Sequence, residues 1–232
     1  MAGIVLLSGG LDSTVALALF LERANLDLAL TFDYGQRAVE REIEASSWIA
    51  SHYGIPHRVI ELSFLKEQTK SALVFTECEL PQISLAELDD ITGRALETAK
   101  SVWVPNRNAL FINIAAVFAE NLASPNYIIT GFNREEAATF PDNSEGFISA
   151  INQSLNYSAL KDINVVSPTL GLSKQEIVEE ALRLKVPIHQ IWSCYRGYEQ
   201  LCGSCESCTR FKRALRANNQ ELLLQELFID PS

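Results

Sequence analysis

The stretch LSGGLDSTVAL, residues 7–17, constrains this chain more than any other. It sets two glycines, two serines and a carboxylate between the apolar run GIVLL and the helix-like run STVALALFLER. The first run shows no alternation, as expected for a strand covered on both faces of a parallel sheet. In the second, Val15, Leu19 and Phe20 share one helical face, and Leu17 and Leu21 widen it, which suits a helix packed on a sheet. A glycine-rich turn from strand into helix presents backbone N–H groups at the positive end of the helix dipole. That is an anion site, most often for phosphate. No lysine follows the glycines as in G-x-x-x-x-G-K-[ST], and Gly9 and Gly10 are adjacent, unlike G-x-G-x-x-G. What remains is S-G-G-x-D-S.

The rest of the chain alternates in the same way. Strands are predicted at 26–34 (LDLALTFDY), 57–62 (HRVIEL), 126–132 (NYIITGF) and 163–168 (INVVSP). Helices are predicted over about residues 37–53, over a run carrying Phe147, Ile151 and Leu155, and over SKQEIVEEALRL, which opens with the capping box Ser173/Glu176. NALFINIAAVFAENL is apolar almost all round and is expected to be buried. Residues 63–100 have weaker periodicity and read as an insertion over one end of the sheet. The order implies an α/β fold with a doubly wound parallel five-stranded sheet, right-handed crossovers and ligands at the carboxyl ends of the strands. The loops after strands one, two and four (SGGLDS, DYGQR and GFNREEAATFPDN) are therefore predicted to form the site. Residues 1–186 are expected to make the α/β domain and 187–232 a C-terminal segment packed on it.

Charge narrows the partners. With 19 basic against 29 acidic residues and a net charge of −10, the chain lacks the basic surplus that nucleic-acid binding needs. Its only dense basic cluster, RFKRALR at 210–216, is expected to be a solvated helix face. No apolar run approaches a membrane span, and MAGIVLLSGG has neither a basic n-region nor a cleavage site. The first residues are expected to serve as a strand rather than an export signal, in a cytoplasmic protein.

Four of five cysteines, Cys194, Cys202, Cys205 and Cys208, form C-x7-C-x2-C-x2-C near the end of the chain. Four thiolates with no open position describe a structural tetrahedral zinc, with Gly203 and Ser204 in the turn between ligands. The weaker alternatives are an iron–sulfur run, whose fourth ligand and following proline are missing, and thiol chemistry. Cys78 stands alone, and His189 lies close enough to Cys194 to be an alternate ligand.

S-G-G-x-D-S in its strand–loop–helix setting resembles the pyrophosphate loop of the N-type ATP pyrophosphatases, which cut ATP between its α- and β-phosphates. With TFDYGQR, VPNRN, WSCY and the cysteine cluster in order, residues 7 to about 217 resemble the 7-cyano-7-deazaguanine synthase family. That resemblance implies an adenine nucleotide alpha hydrolase-like fold and a zinc-containing homodimer. It also implies an ATP- and Mg²⁺-dependent ligase that converts 7-carboxy-7-deazaguanine and ammonia into 7-cyano-7-deazaguanine (preQ0), a queuosine precursor. Carried onto this chain, it implies that Leu7, Ser8, Gly9, Gly10, Leu11, Asp12, Ser13 and Thr14, with Tyr34 and Gly35, hold ATP. It gives catalytic roles to Ser8, Asp12, Ser13 and Arg107 and substrate contacts to Asn133 and Asp142.

Several roles stay open. Asp12 is a Mg²⁺ partner or an acceptor for backbone N–H groups at the helix start. Arg107 is a phosphate clamp or a surface arginine, and Phe32 and Tyr34 flank a flat ring or belong to the core. Asp142 accepts from the base edge or caps a helix beginning near Ser144. Bacterial members carry a DYSGYPDCR-type loop after the fourth strand; here it reads EEAATFPDNS, keeping Pro141 and Asp142 but not the tyrosine, cysteine and arginine. Three other readings follow: a relative joining the activated base to another amine, a tRNA-modifying relative, and a nucleotide-binding module without turnover.

Overall fold

The computed structural model describes residues 2–229 apart from 86, 89, 91, 92 and 124. Among them are five strands, β1 (Ala2–Leu6), β2 (Asn25–Asp33), β3 (His57–Glu61), β4 (Pro125–Ile129) and β5 (Asn164–Val166). They form one sheet in the order β3-β2-β1-β4-β5, with every pairing parallel. Strand β1, with Ile4 and Val5 fully buried, is its centre, as the unbroken apolar run requires. The chain winds outward from β1 through β2 to β3, then returns to β4 on the other flank. The winding therefore reverses between β1 and β4, and the crevice at their carboxyl ends is where ligands of such sheets bind.

Helices α1 (Leu11–Leu21) and α2 (Val39–His52) follow β1 and β2. The insertion carries two short helices, α3 (Phe64–Gln68) and α4 (Arg94–Ser101). Helix α5 (Arg107–Asn121) differs from its expectation: Ile112, Ala115, Ala116 and Ala119 are buried, but Val117 is 64% exposed. Only one face meets the sheet. The loop after β4 is more structured than its polarity suggests. It forms α6 (Arg134–Ala137) and a 3-10 turn at Pro141–Asn143 before α7 (Glu145–Ser158). Helix α8 (Lys174–Arg183) has the predicted capping box from Ser173 and Glu176.

Residues 187–232 carry α9 (Glu206–Ala217) and α10 (Glu221–Leu227). Ile188, Ile191, Cys194 and Phe211 from this segment share one apolar cluster with Leu11 and Val15 of α1 and Ile177 of α8. The basic stretch at 210–216 is a correction to the sequence reading. Arg210 and Lys212 are 6% and 5% exposed, so α9 turns them inward rather than to solvent.

Candidate active site and metal centre

Gly9 is the pivot of the loop after β1. Its φ of +75° is the left-handed region, and an added Cβ would lie 2.8 Å from Ala45 and 2.9 Å from the Glu42 carbonyl. Gly10 then starts α1 with no side-chain cap of its own; apart from Leu11 N, which Ser193 Oγ takes, the first-turn N–H groups are left for a ligand. Ser8 and Ser13 brace the loop from within, their hydroxyls 3.0 Å apart and Ser13 Oγ accepting from Ser8 N at 3.2 Å. Thr14, fully buried, donates to the Gly10 carbonyl at 2.7 Å. Across the crevice, a Cβ on Gly131 would lie 2.6 Å from Ser13 N. Any side chain there would cover the anion site.

The crevice is a cavity of about 290 Å³. Leu7, Ser8, Gly10, Leu11, Asp12 and Ser13 line one wall, and Tyr34 and Arg107 another. Phe32 also lines it, stacked on Phe111 at 4.0 Å. Arg107 Nη1 donates to Tyr34 Oη at 3.3 Å. Gly9, Thr14 and Gly35 stand behind the lining; Gly35 has φ +82°, with Lys66 packed over it.

Two expected substrate contacts lie elsewhere. Asn133 is fully buried and caps α6, accepting from Glu136 N at 2.9 Å. Asp142 stands one residue outside the lining, which takes Asn143 instead. Its carboxylate accepts from Asn143 Nδ2 at 3.1 Å, and burial raises its pKa against the pull of Arg107. Nor does it cap α7, since Ser144 does so.

Lys174 and Glu136, the charges that surround Asp12, belong to no motif in the sequence. Lys174 Nζ, on a residue 6% exposed, lies 2.5 Å from Asp12 Oδ2 and 3.3 Å from Glu136 Oε1. Burial opposes its charge, and Asp12 and Glu136 more than offset this, so its pKa is raised. Burial pushes Asp12 up to about 6 against the pull of Lys174, and Asp12 Oδ1 has no partner. A signal existed. Lys174 is the first residue of α8, where the helix dipole disfavours a cation. Glu42 of α2 also lines the cavity, accepting from Gln36 Nε2 at 2.8 Å; burial pushes its pKa up to about 6. From α9, Glu206 Oε1 accepts from Arg210 Nε and Nη2 at 3.2 and 3.0 Å, and Arg210 Nη1 reaches Glu135 at 3.1 Å. Tyr195, in the cavity wall, is half-buried; burial raises its pKa, and Glu206 and Glu136 lie close enough to add to the rise.

The four cysteine sulfurs lie within 4.8 Å of one another. A tetrahedral zinc with bonds of about 2.3 Å spaces its sulfurs about 3.8 Å apart, close to the 3.9 Å between Cys202 and Cys208. Gly203, at φ +75°, makes the turn that lets Ser204 N and Cys205 N donate to Cys202 Sγ at 3.4 and 3.3 Å. Arg196 N donates to Cys194 Sγ at 3.3 Å. Such donors stabilise thiolates, so the set fits a metal. His189 is not part of it; its ring lies 3.6 Å from Glu226.

The WSCY run joins this centre to the phosphate loop. Trp192 N donates to the Gly9 carbonyl at 2.8 Å, and Ser193 Oγ accepts from Leu11 N at 3.4 Å. Cys194 is a ligand candidate, and Tyr195 lines the cavity.

A parallel sheet with its anion loop at the point of reversal, opposed by a buried lysine, defines a nucleotide-handling α/β protein of the pyrophosphate-loop class. The chain belongs to the family of the queuosine biosynthesis protein QueC, whose model matches residues 2–219. It is 53% identical over 222 residues to a 7-cyano-7-deazaguanine synthase of Pelotomaculum thermopropionicum, covering 96% of this chain and 100% of that one. It is 45% identical over 232 residues to the 7-cyano-7-deazaguanine synthase of Methanosarcina barkeri, covering 99% and 100%. Among solved structures, a predicted subunit of a tRNA methyltransferase from Methanocaldococcus jannaschii superposes at TM-score 0.49 and 15% identity. It covers 95% of this chain and 89% of its own, and bears on neither substrate nor mechanism.

Proposed function

We propose that this chain is an ATP-dependent ligase converting 7-carboxy-7-deazaguanine and ammonia into 7-cyano-7-deazaguanine. The observation that carries the reading is the uncapped S-G-G-x-D-S loop at the sheet's reversal, facing buried Lys174, in a chain of this family.

A carboxylate is a poor electrophile because its carbon shares negative charge and its oxygen leaves badly. Transfer of AMP to it gives a mixed anhydride and releases pyrophosphate. The N–H groups of the loop and first turn of α1 hold that pyrophosphate, and Lys174 offsets the charge that gathers on it. Arg107, lining the cavity beside Tyr34, faces the same charge with its fixed fork. Ammonia attacks the carbonyl carbon and AMP departs, leaving the amide. A second ATP activates the amide oxygen, and loss of AMP leaves the nitrile. The flat base brings a ring edge of N–H donors, for which the Glu42 carboxylate, in the same cavity lining as Phe32 and Tyr34, is the acceptor; this takes the place of Asp142 in that role. The unpartnered Asp12 Oδ1 would hold Mg²⁺, which would supply charge stabilisation at the phosphates. Zinc at the four cysteines holds the C-terminal segment. Among the described residues no helix is long and apolar enough to cross a membrane. The family resemblance supports a homodimer acting in the cytoplasm.

Incubation with ATP, ammonium and 7-carboxy-7-deazaguanine, read by mass spectrometry, should yield the nitrile, AMP and pyrophosphate. ADP as the direct product in single turnover defeats the reading.

A further inference from the structure

The corner of the cavity between the loop after β4 and α9 holds more negative charge than the phosphate chemistry uses. Its contacts join four carboxylates, Asp12, Glu135, Glu136 and Glu206, to three cations, Lys174, Arg210 and Arg213. Glu206 is the unusual member. It is 3% exposed and belongs to the cavity lining. Arg210 takes its Oε1 with two bonds, while its Oε2 is buried with no hydrogen-bond partner among the described residues. A buried carboxylate oxygen without a donor is strongly disfavoured, so one kept in a cavity wall signals a ligand that supplies the donor.

The chemistry of that ligand follows from the surroundings. A carboxylate oxygen without a donor suits a small cation that donates hydrogen bonds. The atom is enclosed, so the ligand is small, about the size of water. Tyr195 and Glu136 line the same cavity and offer further oxygen acceptors. A purine-like edge is served poorly here, because the unpartnered oxygen is enclosed and leaves no room for a flat ring. Magnesium keeps a near-octahedral shell completed by phosphates and water, and the free Asp12 oxygen on the phosphate loop serves that need better. An ammonium ion meets every condition: one charge, small size and N–H donors in several directions.

We propose that Glu206 Oε2, together with Tyr195 and Glu136, forms the docking site of the ammonium ion that delivers the nitrogen. The proposal rests on the ligase reading and adds to it the place where the second substrate waits. It gives α9 a direct part in substrate binding, beyond support for the metal centre.

The test uses the full zinc-loaded chain and the variant Glu206→Gln, which keeps the length and an oxygen for Arg210 but removes the charge. With ammonium chloride varied at saturating ATP and acid, its KM for ammonium should rise at least about tenfold. The KM values for ATP and for 7-carboxy-7-deazaguanine should stay within about twofold, and the zinc content should not change. Glu206→Asp, which keeps the charge and shortens the reach, should fall between the two and covers the case in which the glutamine variant fails to fold. ATP–pyrophosphate exchange driven by the acid, with no ammonium present, should be equal in wild type and variants. Wild type that shows no such exchange removes the ligase reading and this site with it. Normal exchange with an unchanged KM for ammonium overturns the site alone. A rise in the KM for the acid in place of ammonium also overturns it and assigns Glu206 to the base.

Discussion

Replacing Glu42 with glutamine should make the protein more stable and the enzyme worse. Glu42 lies in the cavity wall with one oxygen held by the Gln36 amide, and burial moves its pKa from 4.5 to about 6. The native state thus binds that proton more tightly than the unfolded chain. Below pH 4.5 both states hold it, and Glu42 carries no penalty. Between 4.5 and about 6 the penalty grows, and above that it stays near 2 kcal/mol, since each pH unit of difference is worth about 1.4 kcal/mol. Glutamine keeps the shape and an oxygen for Gln36, so the penalty vanishes. Near pH 8 the variant should gain about 2 kcal/mol, or about 4–8 °C in Tm for a chain of this size. Near pH 4 it should gain nothing. The same change offers an amide where the base needs an acceptor, which costs about 1–3 kcal/mol of binding, or roughly five- to 150-fold in the KM for the acid. Thermal denaturation at the two pH values and steady-state kinetics supply the readouts. A Tm gain of equal size at both pH values, or a loss near pH 8, refutes the burial argument. An unchanged KM for the acid refutes the role at the base.

Lys174→Met keeps most of the aliphatic side chain but leaves Asp12 and Glu136 facing each other without their cation. ATP–pyrophosphate exchange should fall about 100-fold or more, and stability by about 3–5 kcal/mol as an uncompensated buried charge; exchange at the wild-type rate would rule Lys174 out of the phosphate site. Cys205→Ser should lose zinc by elemental analysis and, through the Trp192–Gly9 and Ser193–Leu11 contacts, raise the KM for ATP about tenfold in the surviving soluble fraction. An unchanged KM for ATP would confine the metal to folding.

The sheet was legible because its signals are local. Five apolar runs and a glycine loop follow from period and turn chemistry within a few residues, and each strand begins within one residue of its predicted start. The capping box at Ser173 is equally local. The site was half legible for the same reason. The phosphate loop and the cysteines announce themselves by spacing, whereas Glu42, Glu206 and Arg210 become a constellation only when helices far apart in the chain meet. Asn133 and Asp142 mislead in the opposite direction. Each is a polar residue in the right loop, but Asn133 caps α6 and Asp142 lies in the 3-10 turn, and neither is in the cavity lining. RFKRALR misleads because a run of like charges usually faces water. Here the acids that neutralise Arg210 come from α6 and from the first residue of α9 itself.

These misses share a physical cause, which bears on how the chain should be divided. Residues 187–232 supply Trp192, Tyr195, Glu206 and Arg210 to the cavity wall and tie the phosphate loop at Gly9 and Leu11. They also share a core with α1 and α8. A segment that lends side chains to the site and braces its anion loop cannot be removed without opening the cavity. The four-cysteine cluster includes Cys194 of WSCY and, in Cys205, the residue before Glu206, so it ties the two together. We therefore expect a break near residue 186 to mark a change of material, from sheet to thiolate cluster, rather than a boundary between two units that work alone.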